Sequence, residues 1–92
     1  MDLMDYRARI DETDDKLLQL FKERMDISRQ IALYKKEHGL PVLDPARERD
    51  KLADIGDKAG DELRSYAHML FNFLFELGRA HQKSVMGDGT GD

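Results

Sequence analysis

One cation occupies a position where the helical pattern of the first third of the chain predicts an apolar residue. Four apolar residues repeat at seven-residue spacing: Leu3, Ile10, Leu17 and Ile31. The position between the last two in this series is Arg24. Because an unpaired buried charge costs several kcal/mol, an arginine on this stripe needs an anion. The spacing therefore predicts an ion pair or an anionic ligand at this position.

Two further cations belong to the same segment. Lys35 follows Arg24 by eleven residues, which places it about 20° away around a helix, on the same face. Arg7 precedes Lys35 by 28 residues, or about 42 Å along a helix axis. One small ligand cannot contact both Arg7 and Lys35 of one helix. In an antiparallel pair of helices, Arg7 of one chain can approach Arg24 and Lys35 of the other, which predicts two shared sites per dimer.

A structural role is the alternative for Arg24. An arginine in a helical stripe commonly extends toward solvent or pairs with a carboxylate. The acidic residues that could pair with it are Glu12, Asp14 and Asp15.

The second half of the chain adds polar groups at defined positions. Asp44 and Pro45 suit the N-cap and first residue of a helix, and Arg47 and Glu48 follow in its first turn, where they could also be solvated charges. Further on, one helical face carries Phe71, Phe75, Gly78 and Gln82. A mid-helix glycine costs about 1 kcal/mol relative to alanine, so Gly78 indicates either close approach of another group or a kink.

These groups need three helices to position them, and no strand pattern is visible. The residues from Met4 to Glu37 contain neither proline nor glycine and predict one helix of roughly 51 Å. A second helix is expected from Pro45 to about Lys58, and a third from an N-cap at Asp61 to Gln82 or Ser84. Residues 1–84 form the expected domain, and 85–92 a flexible tail or linker remnant.

The length of the first helix predicts a homodimer. Its apolar stripe extends too far to be buried by two shorter helices, so a second copy of the same helix is the simplest partner, in an antiparallel, intertwined pair. A compact three-helix monomer with a frayed first helix is the alternative. With 92 residues, such a monomer would have little core.

Composition excludes several classes of function. The chain has 15 Lys and Arg against 19 Asp and Glu, a net charge of −4, which argues against binding to nucleic acid or an anionic membrane. It has no cysteine, so disulfides and thiolate metal sites are excluded and a reducing, cytoplasmic location is expected. The three histidines are not at ligand spacing, no serine has a neighbouring base pattern, and no targeting or membrane-spanning segment is visible.

Taken together, these motifs resemble the all-α, dimeric chorismate mutases. The similarity covers about residues 5–83 and is carried by Arg7-x-x-Ile-Asp, Lys16-Leu-Leu, Glu23-Arg24, Lys35, the segment 41–49 (PVLDPARER) and Gln82. The resemblance implies a Claisen rearrangement of chorismate to prephenate, in aromatic amino acid biosynthesis, without cofactor, metal or covalent intermediate.

The resemblance also implies a role for each site residue. Arg24, and Arg7 from the opposite subunit, would bind the two substrate carboxylates. Lys35 would donate to the ether oxygen and a carboxylate, and Gln82 to the same ether oxygen. The remaining implied contacts are Glu48 with the ring hydroxyl and a wall completed by Arg47, by the backbone of Asp44 and by Gly78, where family members often have a small hydroxyl residue.

Two alternative functions remain open from the sequence. An isochorismate-pyruvate lyase is similar in fold and in cationic site, although Gln82, Glu48 and the segment 44–49 favour the mutase. A non-catalytic dimerisation or sensing domain could retain the same fold, but it would not need Arg24 and Lys35, which are both present.

Overall fold

The protein consists of three helices connected by short turns, as seen in a computed structural model that describes residues 1–87. Helix α1 is Leu3–His38, α2 is Pro45–Ala59 and α3 is Arg64–Met86. The described residues contain no strand. The predicted all-α class and the order of a long first helix followed by two shorter ones are therefore confirmed.

Helix α1 is stabilised at both ends by local hydrogen bonds. At its start, the Asp2 carboxylate accepts from the backbone N–H of Asp5, and the Asp5 carboxylate accepts from that of Asp2, each at 3.0 Å. This capping box satisfies donors that the first turn leaves unpaired. At its end, Gly39 adopts φ 67° and its N–H binds the carbonyl of Lys35, a left-handed cap that glycine favours. The helix has 36 residues, about 54 Å, and sets the longest dimension of the molecule.

The predicted start of α2 is confirmed, whereas that of α3 is wrong. The Asp44 side chain accepts from the backbone N–H of Arg47 at 3.1 Å, with Pro45 as the first helical residue. Asp61, expected to cap α3, lies in the turn before it, and its carboxylate accepts from the Arg64 guanidinium at 3.2 Å. With its carboxylate on Arg64, Asp61 does not cap the helix; α3 begins at Arg64 behind Leu63, which makes no side-chain cap.

The single chain leaves most of α1 without a packing partner. Helix α3 packs against both α1 and α2, and among residues 1–87 the only buried large or small apolar side chains are those of Ala32 and Phe75. Every residue from 1 to 20 is exposed, including Ile10 and Leu17 at 60% and 57%. The molecule measures 54 × 26 × 22 Å, so the chain by itself is not the compact three-helix bundle considered as an alternative.

The C-terminal part of α3 continues beyond the expected helix end. The helix reaches Met86, and Gly87 caps it with φ 85°. The expected tail, 85–92, thus begins in the last turn of α3, and residues 88–92 lie outside the described part of the chain. Over residues 1–87, no helix combines the length and apolar character needed to cross a membrane.

Gly56 allows α2 and α3 to approach each other closely. A Cβ atom at this position would lie 2.6 Å from Nε2 of His68, well inside van der Waals contact. The His68 ring cannot simply rotate away, because the same nitrogen lies at hydrogen-bond distance, 3.0 Å, from the carbonyl of Leu52. The absence of a side chain at Gly56 is therefore part of the α2–α3 packing.

We expect Gly56→Ala to lower the free energy of unfolding by up to about 2 kcal/mol, since overpacking costs about 1–3 kcal/mol and the helix-propensity gain returns about 1. Gly78→Ala is the matched control. A Cβ there meets its nearest atoms at 3.7 Å, an ordinary contact, so this variant should gain about 0.5–1 kcal/mol. Urea unfolding at equal protein concentration measures both, and equal stabilisation of the two variants would contradict this account.

Candidate active site

A cavity opens between the C-terminal half of α1, the start of α2 and the middle of α3. It has a volume of about 560 Å³, within the usual range for small-molecule sites. Seven of the eight residues predicted for the site line it: Arg24, Lys35, Asp44, Arg47, Glu48, Gly78 and Gln82. We call this cavity the cleft. Its apolar wall is supplied by Ile27, Ile31, Val42 and Phe75.

Arg7 is the predicted site residue that the single chain does not bring to the cleft. It is exposed on the first turns of α1, about 26 Å along the helix from Arg24. Its expected role depends on a second chain and stays a prediction.

Positive charge dominates the cleft wall. Five cationic side chains line it, against the two carboxylates of Asp44 and Glu48. Within residues 1–87, the side chains of Arg24, Arg47 and Lys51 form no ion pair. The acidic partners considered for Arg24 on α1 therefore do not bind it. Because its half-buried guanidinium has no internal anion, the cleft is electrostatically suited to an anionic ligand.

Lys35 connects three parts of the cleft. Its ammonium donates to the carbonyl of Val42 at 2.8 Å and to Oε1 of Gln82 at 3.4 Å. The first bond ties the loop after α1 back onto the helix, and the second reaches α3. An ammonium has three hydrogens, so one remains for a ligand.

The amide of Gln82 is held in one orientation from both sides. Its Oε1 accepts from Lys35, and its Nε2 donates to Oγ of Ser28 at 3.2 Å. Ser28 in turn donates to the carbonyl of Gly78 at 3.4 Å. Gln82 and Ser28 are both buried. One Nε2 hydrogen is left over, since the amide has two, and it can serve a ligand in the cleft.

Gly78 brings α3 close to α1. A Cβ on Gly78 would be 3.7 Å from Nη1 of Arg24 and from Oγ of Ser28, and the glycine itself is buried. Helix α3 runs through this position without interruption. The element that faces Gly78 is α1, but at ordinary van der Waals distance, so the packing here does not require a glycine.

Three polar residues of the cleft escaped the sequence analysis, namely Ser28, Lys51 and Arg79, and two of them orient other groups of the site. Arg79 donates to both carboxylate oxygens of Glu48 at 2.6 Å, and Ser28 orients Gln82. Helical spacing could have found both, because Ser28 follows Arg24 by four residues and Arg79 follows Phe75 by four. The sequence did not single out either residue, because an isolated serine or arginine on a helix most often lies at the surface and has no part in a functional site.

The described residues hold no group of three or more His, Asp or Glu side chains that could bind a metal ion. The ionisable and amide side chains that line the cleft are five cations, two carboxylates and the amide of Gln82. The fold and the cleft together define an all-α protein with a cation-rich cleft between its three helices.

Comparison with known families identifies this class more closely. The family model described as chorismate mutase type II matches residues 6–83. The chain is also 30% identical, over 87 residues, to the chorismate mutase of Methanocaldococcus jannaschii, covering 91% of this chain and 87% of that protein. The chain belongs to the type II chorismate mutase family, as the resemblance predicted.

Two other relatives match about half of the chain. The T-protein of Haemophilus influenzae is 44% identical over 46 residues, which is 50% of this chain and 12% of that protein. The 4-amino-4-deoxychorismate mutase of Streptomyces venezuelae is 39% identical over 46 residues, 50% of this chain and 45% of that protein. No solved structure gives a significant match.

The absence of an internal partner for Arg24 has a measurable consequence for stability. We expect Arg24→Ala to change the free energy of unfolding by less than about 0.5 kcal/mol, because no ion pair is lost. Arg79→Ala should destabilise the protein by about 1–3 kcal/mol, since it leaves the half-buried carboxylate of Glu48 unpaired. Urea unfolding at matched protein concentration compares the two. A loss at Arg24 as large as that at Arg79 would assign Arg24 a structural role.

Proposed function

We propose that this protein is an isomerase that converts chorismate to prephenate by a Claisen rearrangement. The observation that carries the proposal is the set of unpaired cations on the cleft wall beside two hydrogen-bond donors, Lys35 and Gln82, that each keep one hydrogen for a ligand. Chorismate is a dianion, so it would supply the missing counter-charge.

The reaction needs positioning and electrostatic stabilisation more than acid–base chemistry. A flexible dianion must be held in its reactive diaxial conformation, which saves the entropy of finding it. As the C–O bond breaks, negative charge grows on the ether oxygen, and donors already aimed there stabilise the transition state more than the ground state. Arg24 would clamp a carboxylate with its planar guanidinium, while Lys35 and Gln82 would donate to the ether oxygen.

Preorganisation of these donors is supported by their partners. Lys35 is held by the Val42 carbonyl, and Gln82 by Ser28 and Lys35, so neither must reorient when charge develops. Glu48, held by Arg79, would accept from the ring hydroxyl. Arg47 and the backbone of Asp44 would complete the wall.

The proposed active form is an antiparallel homodimer in which Arg7 of each chain enters the cleft of the other. Pairing Arg7 with the partner's Arg24 or Lys35 would put the two-fold axis between about residues 15 and 21 of α1. That stretch carries Leu17, Leu18 and Leu20, which are more than half exposed in the single chain. Their burial would supply the core that one chain lacks.

Substrate choice and cellular setting belong to the same proposal. The relative from Streptomyces venezuelae is named for 4-amino-4-deoxychorismate, in which an amino group replaces the hydroxyl at ring carbon 4. We assign the hydroxyl compound to this chain, with aromatic amino acid biosynthesis as its pathway. The cytoplasmic location expected from the sequence stays a prediction.

The direct test is incubation of the purified chain with chorismate and, separately, with isochorismate. Formation of prephenate from chorismate supports the proposal. Pyruvate from isochorismate, without prephenate from chorismate, favours the lyase. If neither product forms, a non-catalytic domain of the same fold replaces both.

Mixing two inactive variants tests whether the sites are shared. We expect Arg7→Ala and Arg24→Ala each to lose nearly all turnover. Refolded together in equal amounts, half of the dimers would pair the two variants, and each such dimer would have one intact site and one doubly substituted site. Activity should therefore return to about a quarter of the wild-type value. Refolding Arg24→Ala with Lys35→Ala is the control, because no intact site can form if both residues act from the same chain. No recovery in the first mixture would refute shared sites.

A carboxylic acid in place of the amide tests Gln82. We expect Gln82→Glu to be active at low pH and to lose activity as the pH rises, because only the protonated carboxyl can donate to the ether oxygen. The neighbouring ammonium of Lys35 favours the ionised form, so the loss should begin at acid pH. The pH dependence of kcat/KM measures this, with wild type as the flat reference. A variant profile as flat as that of wild type would remove Gln82 from the reaction.

A further inference from the structure

Two carboxylates line the cleft, and of these two only that of Glu48 pairs with a cation among the described residues. Nη1 of Arg79 lies 2.6 Å from both of its oxygens, and the two side chains are only 29% and 25% exposed. The other acid, Asp44, caps α2 and pairs with no cation. Arg79 thus reaches across from α3 to hold a group on α2 at the cleft wall.

This pairing changes what Glu48 can recognise. A carboxylate has about four lone-pair positions, and Arg79 occupies one on each oxygen, so acceptors remain for a ligand. The net charge of the pair is nevertheless close to zero. A neutral hydroxyl would still gain its hydrogen bond, whereas an ammonium would find little net attraction to Glu48 and direct repulsion from Arg79.

We propose that Arg79 determines specificity: by neutralising Glu48, it makes the cleft select a substrate with a hydroxyl over one with an ammonium group at ring carbon 4. This inference rests on the proposed function and on Glu48 facing that ring position. Arg79 acts through Glu48 and touches no reacting atom. The two compounds that report on it are chorismate and 4-amino-4-deoxychorismate, which differ only in that substituent.

The experiment measures kcat/KM for both compounds with wild type and with Arg79→Met, a variant of similar length without charge. We expect the ratio of the amino to the hydroxyl compound to rise at least tenfold in the variant, equivalent to about 1.4 kcal/mol. Arg79→Lys, which keeps the cation, should leave the ratio within about threefold of wild type. Arg64→Met is the matched control, since it removes a paired guanidinium from α3 outside the cleft and should not change the ratio.

The outcomes separate a role in specificity from a role in packing. If Arg79 only holds Glu48 in place, both compounds lose activity together and the ratio stays constant, which overturns the inference while leaving the proposed function intact. A ratio that rises equally in Arg79→Lys also overturns it, because charge is then not the cause. A wild-type protein that rearranges neither compound overturns the proposed function, and this inference with it.

Discussion

The constraint on which the cleft depends is an excess of cations over carboxylates along its wall. Arg24, Arg47 and Lys51 face one cleft with no carboxylate bound to them among residues 1–87, and their mutual repulsion opposes folding. The three cations are spread over two helices, Arg24 on α1 and Arg47 and Lys51 on α2. In the proposed function, a dianion that enters the cleft would relieve their repulsion, and this relief would favour binding of a charged ligand.

The apolar surface on the first half of α1, like the three unpaired cations of the cleft, has no partner within the single chain over the described residues. The first half of the longest helix is exposed in the single chain, and Ala32 and Phe75 are the only buried hydrophobic residues in the part of the chain that the structure describes. The cleft residues on α1 lie in the half that packs against α3, whereas Arg7 lies in the exposed half. In the proposed dimer, the same association would therefore bury the exposed half of α1 and bring Arg7 to the partner's cleft.

Sequence patterns predicted the parts of the structure that local rules determine. The boundaries of α1 and α2 followed from Gly39, Asp44 and Pro45, whose effects act within one turn. The predicted start of α3 was wrong because two local rules compete at Asp61: its carboxylate could cap a helix, but it pairs with Arg64, three residues further on. The seven cleft residues could be anticipated from helical spacing and from the family resemblance. The contact of Arg79 with Glu48 joins residues 31 positions apart and depends on how α2 and α3 pack, so spacing alone did not reveal it.

The bond between Lys35 and residue 42 is made to a backbone carbonyl. Every amino acid offers that acceptor, so the bond does not depend on which side chain evolution places at position 42. It does depend on the number of residues in the loop. One inserted residue between Gly39 and Val42 would displace the carbonyl by up to about 3.3 Å, beyond hydrogen-bonding reach. The bond to Lys35 therefore constrains the length of this loop, whereas the side chain at position 42 is constrained separately, by its place in the cleft wall.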